Sequence, residues 1–227
     1  MELLVIRHAL PVRIEGVDGP ADPPLSDLGL RQAEALAEWL APAAGAPSAP
    51  GGDTPPITAI VTSPLRRAVE TAAPLAARLG IEPAIEEGVV EWDRHAATYV
   101  PMEEMQAEDH PEWRAMVEGR WHELGVDVFG FRDGVAAAFE RIIAAHPGAR
   151  VAVVCHGGVI NALASHVIGL ADPVFFEPTY TGVTRVLASR DGHRMLASLN
   201  ETGHLRGVGV YEPSSGDSSS SRASGTA

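Results

Sequence analysis

Short apolar runs alternate with helical patterns along most of this chain, and this alternation restricts the fold more than any other feature of the sequence. Residues 2–6 (ELLVI), 57–62 (ITAIVT) and 150–155 (RVAVVC) each suit one strand that is buried on both faces. A helical pattern follows each of these runs. We therefore predict an α/β fold, a three-layer α/β/α sandwich around a mainly parallel central sheet.

Start and stop signals place the helices between these strands. Ser26 is a suitable N-cap for the first helix, and Ser63-Pro64 supplies a cap with proline in the first turn for the second. His156-Gly157-Gly158 is typical of a tight turn, and Asp191-Gly192 is typical of a β-hairpin. We predict helices at about 26–41, 63–79, 131–146 and 159–168, short helices within 88–128, and hairpin strands at 183–189 and 194–199.

Two segments have a composition that cannot support a packed core. Residues 42–56 are rich in proline and glycine, and residues 213–227 are mostly serine, glycine and alanine. The alternating pattern continues on both sides of the first segment, so it is not a domain boundary. We expect one domain over residues 1–212, with a flexible insertion at 42–56 and a disordered tail at 213–227.

Charge and cysteine content exclude several classes of protein. The net charge of −13 opposes binding to nucleic acid or to an anionic membrane surface. The single cysteine, Cys155, cannot form an internal disulfide, which fits a reducing compartment. The N-terminus does not resemble a signal peptide, and no apolar run reaches the roughly 18–20 residues needed to span a bilayer. We expect a cytoplasmic protein that binds neither nucleic acid nor membranes.

Cationic and imidazole side chains follow the predicted strands at the point where each strand ends. Arg7-His8 follows the first strand, Arg66-Arg67 opens the helix after the second, and His156-Gly157 follows 150–155. Ligands of such sheets bind beyond the carboxyl ends of the strands. Arginine matches phosphate oxygens in two-point fashion, and helix N-termini add N–H donors. The sequence thus indicates a small cationic pocket for a phosphoryl group.

A carboxylate is available for proton transfer in this pocket. Glu91 follows the next short extended segment, and Asp93 lies two residues later. An unprotonated imidazole attacks phosphorus without a base, but the leaving alkoxide needs a proton, which a carboxylic acid with a raised pKa supplies. Glu91 is the first candidate for this acid and Asp93 is the second.

Several motifs, in order along the chain, resemble those of the histidine phosphatase superfamily, also called phosphoglycerate-mutase-like. The similarity extends from residue 2 to about 210. The matching segments are LVIRHA (4–9), LSDLG with QA (25–33), TSPLRRA with Thr71 (62–71), VVCHGGVI (153–160), and LN with HL (199–205).

The resemblance implies a role for each matching residue. His8 would be the phosphorylated nucleophile. Arg7, Arg67 and His156 would hold the phosphoryl oxygens and stabilise the transition state, and the N–H of Gly157 would add a donor.

The proton donor of the family falls at Glu91, within Val89-Val90-Glu91. The sequence also departs from the family pattern, because Ala9 stands where many members have glycine. In addition, the usual polar residues after that position are replaced by Leu10, Pro11 and Val12, which leaves Arg13 as the nearest cation.

The resemblance favours a metal-independent phosphoric monoester hydrolase that acts through a phosphohistidine on a small phosphorylated metabolite or a phosphoprotein. A mutase of the phosphoglycerate type and a non-catalytic phosphate-binding module remain alternatives. We expect no cofactor and no metal site, since the predicted pocket is cationic and has no carboxylate cluster. The aromatic and methionine residues of 92–121 are a candidate homodimer surface.

Overall fold

The computed structural model of the protein describes residues 1–42 and 55–211. The predicted insertion at 42–56 lies outside the described residues except for residues 42, 55 and 56. The predicted tail at 213–227 lies wholly outside them. The single domain predicted for 1–212 therefore stays a prediction.

The described residues alternate between strands and helices as the sequence predicts. Three short 3-10 turns, at 87–89, 121–124 and 203–205, complete the elements. The strands are β1 (Glu2–Arg7), β2 (Ala59–Thr62), β3 (Ala84–Ile85), β4 (Arg150–Cys155), β5 (Val183–Ala188) and β6 (Arg194–Glu201). The helices are α1 (Asp27–Leu40), α2 (Arg66–Leu79), α3 (Met102–Ala107), α4 (Pro111–Val117), α5 (Val128–Ala145) and α6 (Gly157–Ile168).

Within the described residues the strands form one sheet in the order β3-β2-β4-β1-β5-β6. The pairs β3–β2, β2–β4 and β4–β1 are parallel, whereas β5 and β6 form the antiparallel edge as the predicted hairpin. Arg7 pairs with Cys155 and Thr62 pairs with Val154, so the carboxyl ends of β1, β2 and β4 lie at one edge. This register confirms the predicted convergence of the residues that follow these strands.

Alternate side chains of the central strands enter two separate cores, because successive residues of a strand face opposite sides of the sheet. Leu3 and Val5 pack on one face with residues of α5 and α6. Leu4 and Ile6 pack on the other face with residues of α1 and α2. Cys155 is a free, buried residue of the first core, as predicted. The three-layer α/β/α fold is confirmed.

Three predicted helix starts are wrong: α5 begins at Val128 rather than at 131, and the other two lie beside the pocket. α2 begins at Arg66 rather than at Ser63, because Leu65 is extended and Ser63 contacts His156 instead of capping the helix. α6 begins at Gly157, directly after an extended His156, so the predicted tight turn does not form. The N–H of Gly158 in this first turn is then free to bind a side chain from another segment.

No helix within residues 1–42 and 55–211 is long and apolar enough to cross a membrane.

Candidate active site

Arg7 is buried at the carboxyl end of β1 and is held on several sides. Its guanidinium carbon lies 3.8 Å from the ring centroid of Tyr180, and its Nη1 donates to the carbonyl of Pro178 at 2.5 Å. Glu103 lies 3.9 Å away and also accepts a hydrogen bond from the Tyr180 hydroxyl. The buried Nε of Arg7 has no hydrogen-bond partner among the described residues. One N–H of a fixed guanidinium is therefore available to an anion.

The geometry of His8 leaves one ring nitrogen unprotonated. Its Nδ1 lies 2.8 Å from the carbonyl oxygen of Ala9, which accepts hydrogen bonds only, so we assign the ring proton to Nδ1. Burial lowers the pKa of His8 well below its usual value, and the charges of Arg67 and Arg7 lower it further. His8 is neutral at pH 7, with a lone pair on Nε2.

Side chains of α1 and α2 fix the backbone that follows His8. The N–H of Ala9 donates to Oγ1 of Thr71 at 2.9 Å, and that hydroxyl donates to the carbonyl of Arg67 at 2.6 Å. The N–H of Leu10 donates to Oε1 of Gln32 at 3.0 Å. Gln32 and Thr71 belong to the motifs that resemble the family, and these contacts explain why those motifs include a residue of each type.

Arg67 lies in the first turn of α2 and is only 2% exposed. Its guanidinium carbon is 4.7 Å from the ring centroid of Tyr99, and its Nη2 donates to Oδ1 of Asp93 at 3.4 Å. Its Nε has no partner among the described residues. The preceding Arg66 is exposed instead and pairs with Glu70 at 2.7 Å, so the two arginines have separate environments.

His156 lies beside His8, with 5.1 Å between the two ring centroids. It is fully buried, and its Nε2 lies 2.8 Å from Oγ of Ser63. Oγ of Ser63 also accepts from the N–H of Leu65 at 3.3 Å; we assign the serine proton to the bond with Nε2, which places the imidazole proton on Nδ1. That Nδ1 has no partner among the described residues. Burial and then the charge of Arg67 lower the pKa of His156 well below its usual value.

Glu91 binds the first turn of α6. Its Oε2 accepts from the N–H of Gly158 at 2.9 Å, and its Oε1 accepts from the N–H of Trp92 at 3.2 Å. A Cβ at position 158 would lie 2.3 Å from Oε1 of Glu91, so only glycine permits this approach. Burial and then the charge of Asp93 raise the pKa of Glu91 to about 7, against the opposing effect of its hydrogen bonds.

Asp93, the second candidate acid, lies against Arg67. Burial raises the pKa of this carboxyl, and the charge and hydrogen bond of Arg67 oppose the rise. Glu91 has no ion pair with either arginine among the described contacts, whereas the contact at 3.4 Å ties Asp93 to Arg67. Glu91 is therefore freer to exchange a proton near neutral pH.

One cavity of about 820 Å³ unites most of the predicted residues. Its lining includes Arg7, His8, Arg67, Glu91, Asp93 and Gly157, and the fully buried His156 lies next to His8. Aromatic and methionine side chains from 92–121 also line it, so this candidate dimer surface partly faces inwards. Among the described residues, no group of three or more His, Cys, Asp or Glu side chains could hold a metal ion.

Sequence reasoning missed Tyr180 and the contact of Ser63 with His156. Tyr180 is fully buried and stacks on Arg7, but a single tyrosine between Thr179 and Thr181 carries no periodic or motif signal. The role of Ser63 depends on how closely β2 and β4 approach. The one signal in the sequence was that Ser63 and Tyr180 each lie close to the end of a predicted strand.

Two known proteins with related sequences are a phosphatase and a longer, bifunctional protein. A metal-independent phosphoserine phosphatase of Arabidopsis thaliana is 26% identical over 219 residues, which are 93% of this chain and 86% of that protein. A bifunctional protein of Mycobacterium tuberculosis is 28% identical over 212 residues, which are 89% of this chain and 54% of that protein. The chain thus spans about half the length of this relative.

Solved structures share the fold. The phosphoserine phosphatase of Entamoeba histolytica, in complex with 3-phosphoglyceric acid, superposes with a TM-score of 0.68 at 23% identity, covering 90% of this chain and 98% of that one. A mycobacterial glucosyl-3-phosphoglycerate phosphatase in complex with VO3 gives a TM-score of 0.66 at 23% identity, covering 88% and 99%. The model of the histidine phosphatase superfamily (branch 1) matches residues 3–202, and the chain belongs to this superfamily.

Proposed function

We propose that the protein is a metal-independent phosphatase that hydrolyses phosphoric monoesters through a phosphohistidine at His8. One observation carries this proposal: a neutral imidazole with a free Nε2 lies among three buried nitrogens that lack partners in the described structure. These nitrogens are Nε of Arg7, Nε of Arg67 and Nδ1 of His156. Buried donors are rarely left unpaired, so such a cluster suits an oxyanion.

The phosphoryl group would bind with its oxygens on these donors. Arg7 and Arg67 supply two fixed positive charges, and the N–H of Gly157 at the start of α6 adds a donor with a favourable helix dipole. A Cβ at Gly157 would lie 3.8 Å from Nε of Arg7, so this helix end and Arg7 are near neighbours. The arrangement stabilises the charge of the equatorial oxygens during in-line transfer.

In the first step, Nε2 of His8 attacks phosphorus, and the bond from phosphorus to the ester oxygen breaks. The leaving oxygen takes the proton of Glu91, whose pKa of about 7 keeps much of this acid protonated at neutral pH. The products are a phosphohistidine, a free alcohol and the carboxylate of Glu91.

In the second step, water attacks the phosphohistidine. The Glu91 carboxylate takes a proton from this water, the bond between nitrogen and phosphorus breaks, and inorganic phosphate leaves. His8 and the acid form of Glu91 are restored. The same carboxyl serves as acid and base because its pKa lies near the working pH.

The alternatives account for less. Three of the four relatives and structures named above are described as phosphatases, and none of the four is described as a mutase. A non-catalytic phosphate-binding module would not need a carboxyl of raised pKa beside the phosphate site, in a position that a Cβ at residue 158 would displace. We therefore favour hydrolysis.

Release of inorganic phosphate from a panel of phosphomonoesters in the presence of EDTA tests the proposal. We expect turnover by the wild type, none by His8→Ala, and wild-type turnover by Arg66→Ala, a control whose side chain is exposed and pairs with Glu70. Hydrolysis retained by His8→Ala would overturn the proposal, and formation of an isomeric phosphate ester in place of phosphate would favour the mutase.

A cytoplasmic location and a homodimer stay predictions from the sequence. Fractionation of cells and the mass of the protein in solution are the measurements that decide them.

A further inference from the structure

Beyond its cationic end, the cavity is walled by large apolar side chains. Six of them come from the segment between Glu91 and α5, namely Trp92, Trp113, Trp121, Met102, Met105 and Met116. The rings of Trp92 and Trp121 meet edge to face at 6.2 Å, and Trp121 is buried. Phe175 and Phe176 extend this wall from the segment after α6. Tryptophan and methionine form adaptable surfaces for ring-shaped apolar groups.

The positive charge of the lining is confined to the phosphate end. Among the described lining residues, the Lys and Arg side chains are Arg7 and Arg67, the two that face the proposed phosphoryl site. Carboxylates also line the cavity at Glu112 and Glu123, of which Glu123 pairs with Arg120, and Glu177 lies near Arg7. Away from Arg7 and Arg67, a second anionic group on a substrate would therefore meet carboxylates and no Lys or Arg side chain of the described lining.

Arg13, the cation that follows the nucleophile in the sequence, does not supply this charge. Its guanidinium pairs with Glu104 and Glu108 at 2.9 Å each and also with Glu15. These three carboxylates hold it outside the cavity lining. Ionic contacts of this kind make the side chain a poor partner for a further anion.

We propose that the substrate is a phosphomonoester of an uncharged, apolar, ring-bearing alcohol, and that the site discriminates against leaving groups that carry a carboxylate. This inference rests on the proposed phosphatase function. The ring would pack on the wall formed by residues 92–121, while the phosphoryl group binds between Arg7 and Arg67. Phosphoserine and 3-phosphoglyceric acid, which are bound in structures of the Entamoeba histolytica phosphatase, carry a carboxylate and would fit this cavity poorly.

Three alkyl phosphates with the same three-carbon spacer test the inference: 3-phenylpropyl phosphate, propyl phosphate and 3-carboxypropyl phosphate. Their alcohols are similar in acidity, so differences in kcat/KM report on the cavity. Burial of the phenyl ring against the cavity wall removes apolar area from water. We therefore expect kcat/KM for 3-phenylpropyl phosphate to exceed that for propyl phosphate about 30-fold. We expect the carboxylate ester to fall below propyl phosphate.

Two variants locate the effect. Trp113→Ala should lower the ratio of kcat/KM between 3-phenylpropyl phosphate and propyl phosphate by about tenfold. Met116→Arg should raise kcat/KM for the carboxylate ester relative to propyl phosphate, because it adds a cation to the wall. Leu30→Arg makes a similar change at an exposed position of α1 outside the cavity lining and should leave both ratios as they are in the wild type.

The outcomes separate this inference from the proposed function. If 3-carboxypropyl phosphate reacts as well as 3-phenylpropyl phosphate, the inference alone is overturned. The same holds if Trp113→Ala keeps the wild-type ratio of kcat/KM between 3-phenylpropyl and propyl phosphate. Absence of hydrolysis for all three esters and for p-nitrophenyl phosphate, an activated ester whose leaving group needs no proton, would overturn the phosphatase function and this inference with it.

Discussion

At the scale of single residues, Glu91 combines features that rarely occur together. The carboxyl is 8% exposed, accepts two backbone hydrogen bonds that favour its charged form, and still has a pKa raised to about 7. Removal from water is the largest cause, and the neighbouring Asp93 is the next. A carboxyl in this state gives up and takes back a proton near neutral pH, as the proposed cycle requires.

Glu91→Gln should slow the first step according to the leaving group. Alkyl esters need a proton on the departing oxygen, so we expect the rate of His8 phosphorylation to fall about 10²- to 10⁴-fold. p-Nitrophenolate leaves without a proton, so the burst of p-nitrophenol should be largely retained, followed by slow hydrolysis of the phosphoenzyme. Rapid-quench kinetics measure both. Asp93→Asn is the matched variant. If the phosphorylation rate depends on the leaving group in Asp93→Asn but not in Glu91→Gln, the acid is Asp93.

The same substitution should stabilise the protein at high pH only. The pKa of Glu91 is higher in the folded state than its ordinary value of 4.5, so the folded state loses stability as pH rises from about 4.5 through 7. Glu91→Gln removes this loss, which amounts to at most about 3 kcal/mol. We expect a higher Tm than the wild type at pH 8 and no difference at pH 4. An equal or lower Tm for the variant at pH 8 contradicts the raised pKa.

At the scale of the elements, α1 holds the loop that follows His8. The carbonyl of Leu10 accepts from both the N–H and the hydroxyl of Ser26, at 2.9 Å each, and Ser26 caps α1 through the N–H of Gly29 at 3.0 Å. A Cβ at position 29 would lie 2.0 Å from the carbonyl oxygen of Leu10. Glycine thus lets the helix approach the chain that positions His8.

Gly29→Ala tests this contact. Backbone at Leu10 cannot move aside as a flexible side chain would, so we expect the free energy of unfolding to fall by about 2 kcal/mol or more, together with turnover. Gly134→Ala is the control, because position 134 is an exposed site within α5 with open space around a new Cβ. It should raise stability by about 0.5–1 kcal/mol and leave turnover unchanged. Similar effects of the two substitutions would show that the approach of α1 is not tight.

The strand ends were predictable because they depend on local patterns. Uninterrupted apolar runs show where β1 and β4 end, so the sequence alone places His8 and His156 at one edge of the sheet. Contacts between distant segments were not predictable in this way. The approach of Glu91 to Gly158 joins residues 67 positions apart, and the start of α2 depends on the contact of Ser63 with His156. In such places tertiary packing overrides the local signal, as the wrong helix starts show.

At the scale of the whole molecule, an acidic chain concentrates its buried positive charge at one point. The net charge is −13, yet Arg7 and Arg67 lie buried beside two neutral histidines at the centre of the sheet edge. Two cores hold this edge in place from opposite faces. The fold thereby keeps two arginines and an imidazole fixed before a substrate arrives, which reduces the reorganisation needed for transfer.

In the proposed cycle, the phosphoryl group passes through Nε2 of His8. Rapid quenching of the enzyme during turnover, followed by mass spectrometry of peptides under alkaline conditions, measures this directly. We expect one acid-labile, alkali-stable phosphate on the peptide that contains His8, formed and lost at rates that match turnover, and none in His8→Ala. Turnover with no phosphate on His8, or with a phosphate that resists acid, would contradict it.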